Sequence, residues 1–182
     1  ISCKINIPLS FKELKADIEY HNHESVRNIP KSMKVYGDGE LLRERTSNLN
    51  DKGLLESLIY NSGDVQSRND FKYDIYGNII EYVGPENDNK ERSSVKVEFD
   101  KDFHLLPIKI SNSWGESSHI EYTLPHKLPY EIENVNGEYL IYRYDDYGRL
   151  KEVLAPKEAR KGESYTLKFD YNLNDLIGTT TH

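Results

Sequence analysis

The strongest constraint on the fold of this chain is a hairpin pattern that recurs along it. In the best-preserved copy, residues 139–154, two runs of alternating residues flank a turn signal from Asp145 to Gly148. Before the turn, Leu140 and Tyr144 share one face of a predicted strand, because strand side chains alternate with period 2. The Asp145 carboxylate can accept backbone hydrogen bonds, and Gly148 can adopt the positive φ of a bulged loop. The segment therefore predicts a β-hairpin.

Related hairpin units recur along most of the chain. Each contains an apolar or aromatic residue directly before its turn, here called the anchor. The anchors are separated by 24, 26, 23, 22 and 25 residues, and they are Leu49, Tyr73, Phe99, Tyr122, Tyr144 and Phe169. The residue after the anchor is Asp or Asn in five of the six units, which indicates a recurring turn. Glycine stands four residues after the anchor in only three units, so the other three turns are expected to differ in shape. The predicted turn and packing residues are Tyr73, Asp74, Gly77, Ile79, Phe99, Asp100, Tyr144, Asp145, Gly148 and Leu150.

The strands that lead into the anchors alternate between apolar and polar residues. Val95, Val97 and Phe99 oppose Lys96 and Glu98, which predicts one buried and one wet face. The expected fold is all-β, with antiparallel hairpin repeats that form a twisted meander or ribbon. The charged stretch 84–94 is interpreted as the longest linker.

The first 32 residues are less regular than the repeats predicted for 33–182. Residues 1–9 alternate as a strand, with Cys3 on its buried face, whereas Cys3 as a lipid-anchored cysteine is the less favoured interpretation. Ser10 and Glu13 form a capping-box pattern that predicts a short helix over 11–20, with an extended segment as the alternative.

Composition excludes several partners. The 24 Lys and Arg against 31 Asp and Glu give a net charge of −7, which opposes binding to nucleic acid or to an anionic membrane. No stretch approaches the roughly 18 consecutive apolar residues of a membrane span. We therefore expect neither nucleic acid nor a membrane span among the contacts of this chain.

No residue pattern predicts catalysis, a cofactor or a metal. The Asp residues of the repeats are spread along the chain, so turn capping is a better interpretation than a calcium site. The pair His21 and His23 lacks further ligands with metal-site spacing. No nucleophile elbow or phosphate-binding loop occurs. The chain is predicted not to be an enzyme.

Aromatic residues suggest a second kind of function. Trp114, Tyr82, Tyr130 and Tyr139 could stack on sugar rings, since aromatic side chains have amphipathic faces. Cross-strand packing of the same side chains is the structural alternative. The sequence favours cross-strand packing over sugar binding for these side chains. The alternative function is an extracellular carbohydrate-binding or adhesion module.

The two clearest repeats resemble a known family. The segments "YDIYGNI" at 73–79 and "YDDYGRL" at 144–150 look like the YD repeat of bacterial Rhs proteins and of the B and C components of Tc toxin complexes. The resemblance covers about residues 33–178, and its motifs are weak at 122–128 and 169–176. The self-cleavage motif and the "DPxG" signature of that family do not occur in this sequence.

The resemblance implies a β-ribbon that spirals into a hollow shell around a C-terminal segment of the same polypeptide. Such a chain would be a non-catalytic wall segment of a larger bacterial protein that is secreted or on the cell surface. Its partners would be the remaining repeats of the parent polypeptide and an enclosed C-terminal domain. Terminal strands with unpaired edges also predict either self-association through the sheet edges or edges covered by the segment 10–30.

Overall fold

The computed structural model describes residues 13–24, 26–124, 126–172 and 174–182. The described chain divides into two compact units, with the boundary between Ser94 and Val95. Fourteen strands and one short helix are found in the described residues. In each unit the strands pair antiparallel with their neighbours along the chain. The all-β, hairpin-repeat fold predicted from the sequence is confirmed.

Unit 1 is a meander whose turns follow the Gly, Asn and Asp signals. Its strands are β1 Leu14–Tyr20, β2 Pro30–Gly37, β3 Glu40–Leu49, β4 Leu55–Ser62, β5 Val65–Tyr73 and β6 Ile79–Glu86. Consecutive strands from β1 to β6 are antiparallel partners. The next strand, β7 Arg92–Phe99, contains the boundary between the units.

Unit 2 continues with the same order of strands and turns. After β7 it contains β8 Pro107–Asn112, β9 Ser117–Tyr122, β10 Pro129–Glu133, β11 Tyr139–Tyr144, β12 Leu150–Leu154, α1 Pro156–Arg160, β13 Leu167–Asn172 and β14 Ile177–Thr181. Each strand from β7 to β14 pairs antiparallel with the next. Helix α1 begins with Pro156. Proline suits the first helical position, because a backbone N–H at this position has no partner within the helix and its absence costs nothing.

The strand register separates an apolar face from a charged face. In unit 2, Ile120, Ile132 and Leu140 lie in one cross-strand row, and His119, Glu133 and Tyr139 lie in a row on the opposite face. Neither face is fully covered: in the described residues Leu154, at 8% exposure, is the only buried hydrophobic side chain. The apolar face is therefore half-buried and not buried as predicted, because side chains of one sheet layer shield one another only partly.

The predicted helix over 11–20 is wrong for the described residues of that segment. Leu14–Tyr20 is strand β1, and it pairs with β2 along its whole length. The apolar spacing from Leu14 to Ile18 fits a helix, but Ala16 and Tyr20 complete an every-second-residue pattern that fits a strand equally well. Pairing with β2 decides between them. The predictions for the strand 1–9, for Cys3 and for Ser10 lie outside the described residues.

Two further boundaries differ from the sequence interpretation. The stretch 84–94 is not a linker, since it comprises the end of β6, a tight turn at 87–91 and the start of β7. Charged residues dominate it because an exposed turn requires polar side chains. Strand β2 also begins at Pro30 and runs across the predicted boundary after residue 32.

Candidate functional site: the repeated turn and its tyrosine

The turn at Asp145 shows how the repeat is built. The Asp145 N–H donates to the Arg149 carbonyl at 3.0 Å, and the Gly148 N–H donates to the Asp145 carbonyl at 2.9 Å. The Asp145 carboxylate accepts from the N–H groups of Tyr147 at 3.0 Å and Arg149 at 2.9 Å. Gly148 has φ +77°, a left-handed conformation that favours glycine. The side chain thus satisfies the turn's inner N–H groups, and glycine closes the loop.

The same five-residue turn, here called the Asx turn, occurs in both units. In each copy the first residue accepts the N–H groups of the third and fifth residues through its side chain, and the fourth residue has positive φ. The first residues are Asn50, Asp74, Asn87, Asn112, Asn134 and Asp145. The fourth residues are Gly53, Gly77, Lys90, Gly115, Gly137 and Gly148. The spacing from anchor to glycine in the sequence links only three of these turns, those at 50, 74 and 145.

In several copies of the Asx turn, the side chains of the first and fifth residues form a hydrogen bond. Which of the two residues donates depends on whether the first residue is Asn or Asp. Asn112 donates its side-chain amide to Glu116 at 2.6 Å, and Asn134 likewise donates to Glu138 at 3.3 Å. In contrast, Asp145 accepts from the Arg149 guanidinium at 2.7 Å. In three of the four Asn copies the fifth residue is a Glu that accepts from the Asn amide, whereas at Asn50 the fifth residue is Leu54. The pairing of Asn with Glu is a sequence signal shared by the turns at 87, 112 and 134.

Hydrogen bonds keep the repeat carboxylates ionised. Partial desolvation acts to raise the pKa of Asp145, but bonds from Arg149 and Tyr147 outweigh it, and the pKa is lowered. The pKa of Asp74 is lowered in the same way by Asn78 and Tyr76. These side chains act as acceptors in turns. Their geometry offers no proton donor to a substrate.

The Asx turn at Asn87 keeps its shape with Lys90 in place of glycine, whereas the turns after Phe99 and Tyr122 have other shapes. The Asp100 N–H donates to the Leu106 carbonyl at 2.9 Å, and His104 takes the positive φ. Desolvation acts to raise the pKa of Asp100, but N–H groups of Leu106, Phe103 and Leu105 donate to its carboxylate and bring the pKa to about 2.

In four of the six repeats a tyrosine hydroxyl connects the repeat to the one before it. Tyr144 donates to the Pro129 carbonyl at 2.7 Å, and Tyr122 donates to the Pro107 carbonyl at 2.9 Å. Tyr73 makes the corresponding bond to Leu55 at 2.8 Å. In each case the acceptor is the first residue of the strand that follows the preceding turn. Burial raises the pKa of the Tyr144 and Tyr73 phenols, which keeps them protonated as donors.

The last repeat is anchored two residues later than the sequence analysis placed it. Phe169 and Asp170 lie within β13, and the turn begins at Asn172, whose side chain accepts from the N–H groups of Asn174 and Asp175. Tyr171 donates its hydroxyl to the Leu150 carbonyl at 2.7 Å, as the other anchor tyrosines do. Tyr171 is therefore the anchor, and the prediction for Phe169 is wrong.

The anchors also pair directly with the apolar residue of the following strand. Tyr144 lies opposite Leu150, Tyr73 lies opposite Ile79, and a register shift precedes each anchor. Phe99 lies opposite Pro107 because its turn is longer.

Neighbouring turns contact one another within each unit. In unit 2 the Lys127 ammonium lies 3.8 Å from the centre of the Phe103 ring. A methyl group added at Gly148 would lie 3.2 Å from the His126 ring. In unit 1 a methyl group at Gly53 would lie 2.5 Å from Val26. Glycine thus serves two purposes at these positions, a left-handed backbone and close packing of the next turn.

The two histidines proposed as a weak metal pair have other roles. Ser47 donates its hydroxyl to the Pro30 carbonyl at 2.6 Å, so its oxygen is left to accept from His21 Nε2 at 3.0 Å. His23 lies beside Gly53. Across the described ranges, no cluster of His, Cys, Asp or Glu has the arrangement of a metal site.

The four candidate stacking residues have different surroundings. Tyr82 packs against Phe71 with ring centres 5.5 Å apart and donates to Asn69. Tyr130 donates to Glu121. Trp114 is 74% exposed on a turn, and Tyr139 is 45% exposed on β11. The latter two keep a free ring surface.

No helix among the described residues is long and apolar enough to span a membrane.

These features define a β-repeat chain in which an Asx turn and an anchor tyrosine recur. Neither a protein-family model nor a curated protein matches the chain. Among solved structures, it matches the Tc holotoxin pore of Photorhabdus luminescens at 11% identity and a TM-score of 0.47, over 82% of this chain and 10% of that one.

The TcdB2-TccC3-Cdc42 complex matches at 10% identity, with a TM-score of 0.31, over 79% of this chain and 11% of that one. The TcdB2-TccC3 complex matches at 10% identity, with a TM-score of 0.28, over 79% and 12%. These are Tc toxin assemblies, the group that the YD motifs resemble. The chain spans about a tenth of the length of the chains it matches.

Proposed function

We propose that this chain is a non-catalytic wall segment of a larger bacterial protein, secreted or exposed at the cell surface, whose repeats enclose another part of the polypeptide. The recurring bond from the anchor tyrosine to the preceding repeat carries this proposal. It joins four of the six repeats to the repeat before them and can be extended by adding repeats, as in other repeat proteins. The predicted turn and packing residues Tyr73, Asp74, Gly77, Ile79 and their counterparts at 99–100 and 144–150 would serve this construction.

The exposed faces support the same proposal. A repeat sheet of one layer leaves both faces accessible, and in unit 2 their chemistry differs, with Ile120 and Ile132 on one side and His119 and Glu133 on the other. A wall needs two faces with different environments. A self-sufficient globular domain would bury its apolar face under a second layer.

The test is to purify the natural polypeptide that contains these residues and to image it by electron microscopy. Hollow particles, with the segment after the repeats protected from added protease, are the expected result. A second sample with Tyr73 and Tyr144 both changed to Phe should become more sensitive to protease. An elongated particle without a lumen, with all segments equally cleaved, would contradict the wall proposal.

The strand edges give this proposal an additional consequence. In the described chain, β14 has one antiparallel partner, β13, and all its residues are exposed. Its Thr-rich sequence carries no charge that would discourage pairing. We therefore expect the separate chain to self-associate through this edge, where a further strand of the parent would otherwise pair.

We also propose carbohydrate binding as a second candidate function. The observation in its favour is that Tyr139 and Trp114 retain exposed rings, at 45% and 74%. Binding of a panel of glycans by the folded chain would support it. An array without saturable signal would remove it and leave the wall proposal untouched.

A further inference from the structure

A groove in unit 2 lies between helix α1 and strand β11. Its volume is about 480 Å³, within the range of roughly 300–1,000 Å³ for small-molecule sites. The residues that line it are Glu131, Gly137, Glu138, Tyr139, Ile141, Pro156, Ala159 and Arg160. The helix interrupts the hairpin repeat at this one place in the described chain. The groove therefore belongs to a feature that the repeat itself does not require.

The walls of the groove combine an aromatic surface with aliphatic groups. Tyr139 and Ile141 are two residues apart on β11 and share a face, whereas Pro156 and Ala159 come from α1. Tyr139 pairs across the sheet with Glu133 and is 45% exposed, so its ring surface is accessible. An exposed aromatic face beside aliphatic groups suits the C–H face of a sugar ring.

Polar groups occupy the rim. Glu131 lies opposite Ile141 on the same face and lines the groove. Glu138 holds the Arg160 guanidinium in an ion pair. A carboxylate accepts hydrogen bonds from hydroxyl groups, and a guanidinium donates them. Two carboxylates against one guanidinium leave a net negative rim, which disfavours an anionic ligand.

We infer that this groove binds a neutral disaccharide, with Tyr139 as the stacking surface and Glu131 and Arg160 as hydrogen-bonding partners of its hydroxyl groups. The inference rests on the second candidate function and assigns it a site. It selects Tyr139 from the four aromatic candidates, because the Tyr82 ring packs on Phe71 and neither Tyr130 nor Trp114 lines the groove.

The test is calorimetric titration of the whole chain with cellobiose, maltose, lactose and N,N′-diacetylchitobiose at millimolar concentration. Tyr139→Ala should weaken binding of the preferred sugar about tenfold, because the stacking surface is lost. Tyr139→Phe keeps the ring and should bind within about threefold of the unchanged chain. Trp114→Ala is the matched control and should bind equally well. Circular dichroism verifies that each variant is folded.

Three outcomes would overturn the inference. Loss of binding in Trp114→Ala with Tyr139→Ala unaffected would place the site elsewhere and leave carbohydrate binding standing. Tighter binding of 4-nitrophenyl glucuronide than of 4-nitrophenyl glucoside would refute the charge argument. No saturable binding of any of the four disaccharides would refute the groove as their site, and a positive glycan array would then still preserve the candidate function.

Discussion

The two glycines at equivalent positions in unit 1 allow the roles of backbone conformation and close packing to be separated. Gly53 has φ +77° and Gly77 has φ +92°, so alanine is strained at either position. A methyl group at Gly77 meets no atom within 4 Å, whereas at Gly53 it would lie 2.5 Å from Val26 and 3.2 Å from His23. The first substitution tests strain alone. The second adds a steric clash.

The expected losses of stability follow from these distances. Gly77→Ala should lower the free energy of unfolding by about 1 kcal/mol, from the left-handed backbone. Gly53→Ala should lower it by about 2–4 kcal/mol, because overpacking adds about 1–3 kcal/mol to the same strain. Urea unfolding followed by circular dichroism measures both. Since both glycines lie in unit 1, the same transition reports on the two variants.

A double-mutant cycle isolates the clash. Val26→Ala shortens the side chain that the new methyl group would meet, so the Gly53→Ala penalty should fall by about 1 kcal/mol or more in that background. The Gly77→Ala penalty should not change with Val26→Ala. Equal penalties for the two glycine variants, or no relief by Val26→Ala, would refute the view that the turn packs against the loop that carries Val26.

Three further predictions concern the anchor, a turn and an edge. Tyr144→Phe should destabilise unit 2 by about 1 kcal/mol through loss of its hydroxyl bond, and Tyr147→Phe, 77% exposed, should not; equal urea midpoints would contradict this. The pKa of Asp100 is about 2 in the folded chain, below its unfolded value. The ionised carboxylate therefore stabilises the fold above roughly pH 4, and this stabilisation is lost as the pH falls towards 2. The difference in unfolding free energy between the unchanged chain and Asp100→Asn should shrink over that range, and a constant difference would contradict this prediction. Thr180→Lys should reduce self-association measured by sedimentation, whereas the control Asn136→Lys should not; equal sedimentation of both variants would argue against the β14 edge.

The last repeat shows why the sequence predicts the positions of the repeats better than the strand register within them. Phe169 with Asp170 and Tyr171 with Asn172 are both an aromatic residue followed by Asp or Asn. A shift by two residues leaves every side chain on its original face, so alternation cannot distinguish them. Only the pairing of β13 with β14, in which Asn172 lies opposite Ile177, determines the correct anchor.

The N-terminal strand illustrates the same limit. Leu14 and Ile18 fit a helix and a strand alike, and pairing with β2 supplied the decision. The Asx turns that begin at Asn87, Asn112 and Asn134 do not share the sequence pattern of those at Asp74 and Asp145. Asn with a Glu four residues later replaces Asp with a donor, although both satisfy the same backbone N–H groups.

The sequence by itself determined the all-β class, the hairpin repeat and the turns at Asp74 and Asp145, because their causes are local. Side-chain alternation, a carboxylate that reaches N–H groups within four residues and glycine at positive φ all act within one hairpin. Tertiary structure decided which carbonyl each anchor tyrosine reaches, which turn packs on Gly53 or Gly148, and that α1 forms a groove with Tyr139. These contacts join residues about 15 to 30 positions apart in sequence, and strand pairing alone brings them together.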